Sequence, residues 1–434
     1  MDNETHDSAL LEMNHSKSWR NWVEPWYGTY ALQGVVFAGL LPMLLPLMVS
    51  KNGSSTHVGL VMAMLSLGGM SAPLWGGLAD RYRLHRFLLL GGMLLATLAL
   101  GFFAYTTQAS LWILLALMIG IGAAGSATVA NLFVVEDHPK PEWDERIGWL
   151  QTFYGVGQVA GLFIAGLLSQ LDMKLGLLIA AGICLLSALY GWYTTRTPHA
   201  LAGKKPVLTN APRLGDWGFL SPQRLFHHLN LKAWKKLGAL LRTRFGILLG
   251  VWLLSIGGSG AFFSQYPILM QKVYTISPAI SSTAFAIVAG LGLLLYSPAG
   301  NWSEKFSSVR VLRGAMGFRW LAYVLLFVLG FTSLGIKNGL AMIGLAGVVG
   351  AWSVISVSGT ALAAQLSQQD EGEGMGIFNA ATSLAGVIGA VLGGWIAGQW
   401  GYFYITALAI GGIGIGFLLS TLIPVVRNKD NKIT

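Results

Sequence analysis

The sequence predicts an all-α membrane protein, with twelve transmembrane helices arranged as two pseudo-symmetric six-helix bundles. Three observations lead there. Of 434 residues, 54% are hydrophobic and only 11% charged, whereas a soluble domain carries about 25% charged residues. The chain also divides into apolar stretches of roughly 20 residues, each long enough to cross a hydrocarbon core of about 30 Å. Finally, matched residues recur between the two halves at a nearly constant offset. Segments facing lipid must satisfy their own backbone hydrogen bonds, so the stretches are helices rather than open strands.

The elements follow in order. Residues 1–25 form a cytoplasmic tail with five acids and no apolar core flanked by a cleavage site, so it is not a signal peptide. The first bundle, 26–195, holds spans near 26–50, 56–79, 87–107, 111–135, 147–169 and 174–195. Residues 196–244 are the one long connection, a basic cytoplasmic linker with ten Lys or Arg against one acid, Asp216. Inside it, Ser221 can cap a helix opened by Pro222. Leu225, Leu229, Trp234, Leu237 and Leu241 recur near helical period among basic residues, which predicts an amphipathic helix on the inner membrane surface. The second bundle, 245–426, holds spans near 245–271, 278–300, 311–332, 337–364, 374–398 and 401–425, and 427–434 is a cytoplasmic tail. The glycines let helices approach closely. The single cysteine, Cys184, excludes an intramolecular disulfide and reads as a small buried hydrophobe.

Charge sets the orientation. With the linker and both ends cytoplasmic, that side holds 24 of the 28 Lys and Arg residues, leaving Lys51, Lys174, Lys272 and Lys337 opposite. This positive-inside pattern fits a multi-pass protein of a bacterial inner (plasma) membrane. It accounts for the net charge of +10 without nucleic acid.

The halves repeat each other. Phe37 and Pro42 recur as Phe262 and Pro267, 225 residues on. "MIG" at 118–120 returns at 342–344, and Gly148, Gly161 and Gly166 match Gly376, Gly389 and Gly394 at an offset of 228. Parallel repeats about an axis normal to the membrane are a recurrent plan for secondary transporters.

Between the second and third spans lies "GGLADRYRLHR". It resembles the signature loop of the major facilitator superfamily, roughly G-x-x-x-D-R-x-G-R-R. Gly76, Asp80, Arg81 and Arg86 carry the resemblance; Arg83 stands where glycine is usual, and Leu84 where the first paired basic residue is usual. A weaker copy between spans 8 and 9, "GNWSEKF", supplies Gly300, Glu304 and Lys305. The resemblance covers the whole chain and implies the major facilitator fold, with a gating latch on the cytoplasmic side. In that latch Asp80 faces the positive N-terminus of the eleventh helix near Gly374, and Arg81 pairs with Glu136 or Asp137. The alternative is that these basic residues only set topology.

Polar residues within the spans form stripes. Gln151, Tyr154 and Gln158 share one helix face; under the repeat, Asn379 and Thr382 match the first two of them. Tyr30, Gln33 and Phe37 share a face of the first span. Trp252, Ser255, Phe262 and Tyr266 mark the seventh, and Asn131 lies on the fourth. The resemblance places these helices around a central cavity, so all thirteen are candidate substrate-binding residues. Each could instead hydrogen-bond a neighbouring helix, at about 0.6 kcal/mol. Aromatic rings mixed with uncharged polar groups suit an amphipathic organic molecule; a small anion would call for buried Arg or Lys. Intramembrane acids mark proton pathways, and the coupling candidates are Glu24, Glu136, Asp137 and Arg319. Arg319 either snorkels to the inner interface or is buried and functional.

The function expected from these readings is secondary active transport by alternating access: proton-coupled efflux of a small-molecule substrate, a drug or metabolite. The alternative is uptake of a nutrient or siderophore-like molecule by symport or facilitation. No cofactor or metal site is expected, and a monomer in the lipid bilayer is. An enzyme would need a nucleophile with a base, or clustered metal ligands, at membrane depth; the spans show neither. The chain also lacks a G-x-x-x-x-G-K-[ST] loop for ATP-driven pumping.

Overall fold

The computed structural model describes residues 22–72, 74–75, 78, 85–139, 142–195, 243–332, 336–367 and 371–425. Among these, regular structure is helical. The elements are α1 (Tyr27–Asn52), α2 (Ser55–Gly69), α3 (His85–Tyr105), α4 (Ala109–Asp137), α5 (Trp143–Leu168) and α6 (Met173–Thr194). They continue with α7 (Arg244–Ser264, extended by Tyr266–Tyr274), α8 (Pro278–Phe306), α9 (Ser308–Gly330), α10 (Lys337–Leu366), α11 (Glu371–Gln399) and α12 (Phe403–Ser420). Eleven of the twelve are long and apolar enough to cross a membrane; α2 runs 15 residues, and of its expected further course to residue 79, residues 73, 76, 77 and 79 lie outside the described ones. The amphipathic linker helix expected within 196–244 also lies outside the described residues, as do both tails apart from residues 22–25.

Local chemistry sets the helix ends. Ser54 opens α2 through a capping box, its hydroxyl accepting from the His57 amide at 3.3 Å while His57 Nδ1 accepts from the Ser54 amide at 3.2 Å. Asp172 caps α6 through the Lys174 amide, and Ser277 precedes Pro278 at the start of α8. Gly401, with φ 98, turns the chain between α11 and α12.

The span expected at 245–271 is interrupted at Gln265. Pro267 explains the break: it has no N–H to donate, and its ring crowds the carbonyl four residues earlier. Its repeat counterpart Pro42 follows a wide π turn, Gly34–Leu40, in α1. Leu40 and Gln265 themselves stand 225 residues apart, so both halves carry a discontinuity at the same place.

Packing repeats too. In the first six helices, α1 packs on α5 and α6, α4 on α2 and α3, and α3 on α6. Six helices later, α7 packs on α11 and α12, α10 on α8 and α9, and α9 on α12. Backbone approach at the α1–α5 and α7–α11 crossings leaves room only for glycine. A Cβ on Gly161 would stand 2.2 Å from the Val35 carbonyl oxygen, and one on its counterpart Gly389 would stand 2.2 Å from that of Gly257. Large apolar side chains such as Leu98, Phe102, Leu167 and Leu294 are left exposed on the outside of the helices.

The two sets of helices meet through α2 against α11 and α5 against α8, pairs that the repeat also exchanges. Side-chain contacts between them, such as Leu293 against Gly155, continue to mid-span, but their backbone contacts lie toward the face holding Lys51, Lys174 and Lys272. Gly59 meets Gly394 there, Ser282 Oγ donates to the Leu162 carbonyl at 2.6 Å, and Gln265 Nε2 donates to the Ser55 carbonyl at 3.1 Å. The opposite, basic face holds Glu24, Arg86, Arg146, Arg244 and Lys305.

Candidate functional site

Two polar-aromatic clusters occupy related places. In the first, Tyr30 of α1 and Tyr154 of α5 pack with ring centroids 4.9 Å apart and planes tilted by 41°. The Tyr30 hydroxyl sits against the side chains of Gln151 and Asn131, so α1, α4 and α5 converge on it. Asn131 also donates to the Ala127 carbonyl at 2.8 Å, and Gln151 is exposed. In the second, the Trp252 indole of α7 donates to Thr382 Oγ1 of α11 at 2.7 Å. Phe378 packs on Trp252 at 4.6 Å with its ring tilted by 40°, and Trp352 lies 6.2 Å away. Tyr154 and Thr382 are repeat counterparts, as are Gln151 and Asn379, which is likewise exposed. Each cluster therefore pairs a polar group on α5 or α11 with a ring on α1 or α7.

Other residues of the stripes lie elsewhere. Ser255 is buried against α12, where a Cβ on Gly416 would approach its hydroxyl to 2.4 Å. Phe262 packs on Tyr323 at 5.2 Å, and Tyr266 packs on Phe285 at 5.5 Å while its hydroxyl donates to the Ser281 carbonyl. These three hold α7 to its neighbours. Gln33 is buried with Nε2 unpartnered, whereas Phe37 and Gln158 are half-buried.

Of the signature-loop residues, Gly76, Asp80 and Arg81 lie outside the described residues. So do the side chains of Glu136 and Asp137, which end α4. Arg86 starts α3 and donates to the Trp192 carbonyl at the C-terminal end of α6, stacking over the Trp192 ring at 4.0 Å. A helix C-terminus exposes carbonyls that attract a cation. Gly300, Glu304 and Lys305 line a pocket of about 750 Å³ at the basic face, with Arg310 and Gln365.

Glu24 does more than meet solvent. Its Oε1 lies 2.6 Å from His138 Nε2 and 3.5 Å from Arg146 Nη1, and its Oε2 accepts from the Trp26 indole at 2.9 Å. Arg146 is also clamped by Glu142 at 2.9 Å. The sequence reading missed His138 and Arg146. Replacing Glu24 by Gln is expected to lower thermal stability in detergent by about 1–3 kcal/mol. The matching change at Glu304 should do less, because the ion pairs among the described residues involve Glu24 and Glu142.

Arg319 does not snorkel: it is 3% exposed, held in from the interface by Phe263 of α7 and Trp352 of α10. No group of three or more His, Cys, Asp or Glu among the described residues is placed to hold a metal.

Residues 27–358 and 253–433 match the model of the Major Facilitator Superfamily, together spanning nearly the whole chain. The chain belongs to the major facilitator superfamily. It is thus a multi-pass integral membrane transporter for small molecules, in a family of transporters rather than enzymes. Among curated members it is 25% identical to multidrug resistance protein MdtG of Yersinia enterocolitica over 91% of this chain and 92% of that one. It is 30% identical to the class C tetracycline resistance protein of Escherichia coli, but that match spans 40% of this chain and 44% of the relative's length. Two solved superfamily structures share the fold. One is a bacterial homologue of the human lysosomal transporter Spinster, inward-facing and occupied, with TM-score 0.70, 14% identity and coverage of 94% of this chain and 97% of that one. The other is a D-xylose-proton symporter, with TM-score 0.65, 13% identity and coverage of 92% and 96%.

Proposed function

We propose that this chain exports small amphipathic organic compounds in exchange for protons, by alternating access of two six-helix halves, 26–195 and 245–426. The observation that carries the reading is the mirrored pair of clusters, Tyr30–Gln151–Tyr154 and Trp252–Phe378–Thr382. Rings provide apolar area and a few placed donors fix orientation, a mixture suited to molecules with an apolar body and a polar end. The full-length likeness to a multidrug resistance protein supports export. Substrate would enter from the cytoplasm, which on the positive-inside pattern is the basic face; the close contacts between halves toward the other face support that state.

Everted membrane vesicles containing the protein test this. Adding amphipathic dyes or drugs to energised vesicles is expected to release protons and to load the compound inside. Proton release absent across a broad panel would remove antiport, and accumulation in intact cells that depends on the protein would replace export with uptake.

A further inference from the structure

We infer that the transported compounds include acids, and that Arg319 receives their anionic group. This assignment rests on the transporter reading above and narrows its substrate class. Arg319 lies eleven residues beyond the start of α9 at Ser308, about 16 Å along the helix. It is 3% exposed, and its Nε has no hydrogen-bond partner. A guanidinium cannot shed its proton, so a buried one needs a compensating negative group.

The chain offers little of that kind. Between Phe245 and Gln369 the only acid is Glu304, and the next acids along the chain are Asp370, Glu371 and Glu373. Glu304 is in the last turn of α8 at the basic face, and α11 begins at the same face. Among the described residues no carboxylate pairs with Arg319. Its surroundings are instead aromatic: the guanidinium carbon is 5.5 Å from the Trp352 ring centre, 5.8 Å from Phe263 and 5.9 Å from Tyr323. Ring faces offer a cation partial compensation. The Tyr323 hydroxyl also sits against the guanidinium, and the N–H donors that remain, the unpartnered Nε among them, suit a planar carboxylate.

Arg319 also borders the candidate site. Trp352, which faces the guanidinium, is the same side chain that lies 6.2 Å from Trp252. Trp352 and Phe263 are only half-buried, whereas the arginine behind them is closed off. An aromatic acid could lay its body against the half-buried Trp352 indole and turn its carboxylate toward Arg319. The expectation that a mostly uncharged chamber disfavours anions thereby changes, since the buried arginine it lacked is present.

The test uses the full-length protein in lipid nanodiscs and proteoliposomes, with 1-naphthoate and 1-naphthamide as matched probes. Binding is read by tryptophan quenching and transport by counterflow. The acid is expected to bind at least about tenfold tighter than the amide, the scale of one charge-assisted hydrogen bond. Arg319→Gln should erase that preference, bringing the acid-to-amide affinity ratio to about one, and Arg319→Lys, which keeps the charge, should restore part of it. Equal binding of acid and amide, no binding of either, or an acid preference surviving in Arg319→Gln overturns the assignment. Counterflow of neutral or cationic amphipaths without acid preference leaves the transporter reading standing and overturns this one. Acid binding that depends on Arg319, with no counterflow of any probe, supports the anion site and removes the transport reading.

Discussion

Joining α2 to α11 by a disulfide between Thr56→Cys and Gly398→Cys, in a Cys184→Ser background, is expected to reduce transport to background, and reductant should restore it. A Cβ built on Gly398 stands 3.1 Å from the Thr56 hydroxyl oxygen and 3.2 Å from that of Ser55. That places the two new side chains within reach of the roughly 3.5–4.5 Å that a disulfide requires between Cβ atoms. The bond would lie beside the Gly59–Gly394 contact and the Gln265–Ser55 hydrogen bond, where the two halves meet. Alternating access demands that this interface part once per cycle. Each single cysteine should transport normally, because Gly398 meets only hydroxyl ends. The readout is compound efflux with and without reductant, alongside quantitative cross-linking on a gel. Full transport by fully cross-linked protein would show that this face does not open during the cycle.

The second large effect concerns folding. Gly157→Ala should destabilise the protein by about 3 kcal/mol or more, at the upper end of what overpacking costs, and sharply lower its yield. The added methyl would fall 1.9 Å from the Ala31 carbonyl oxygen of α1, a backbone atom that cannot move aside without separating the helices. Gly148→Ala on the same helix, with nothing within 4 Å, is the control and should stay within about 0.5 kcal/mol. Thermal unfolding followed by size-exclusion chromatography in detergent distinguishes the two. Equal melting of both variants would mean that α1 and α5 are less closely packed than described.

How much of this was legible in the sequence depends on how local each cause is. The spans were readable because a hydrocarbon slab dictates helix length and excludes charge. Gly161 and Gly389 could be matched because close backbone contact tolerates only glycine, and that demand recurs in both halves. Pro42 and Pro267 were visible as a repeated pair, though not the different responses around them, a widened turn in one and a break in the other. The Glu24 cluster was hidden because its partners lie 114 and 122 residues away in the chain. Ser255 shows a further limit: a polar stripe fixes a helix face but not which neighbour covers it, and here α12 does. The fate of Arg319 likewise depended on rings contributed by α7 and α10.

The matched interruptions in α1 and α7 bear on how such a machine changes state. A straight rod swings as one piece, so narrowing one mouth must widen the other. A rod with a joint can bend there while one arm stays put: in α7 the arm before the joint, Arg244–Ser264, is the longer, and in α1 the arm after it, Leu41–Asn52, is. With such a joint in each half, the proposed exchange between two open states gains a route through a third, in which one mouth has closed before the other parts and the cargo is held between them.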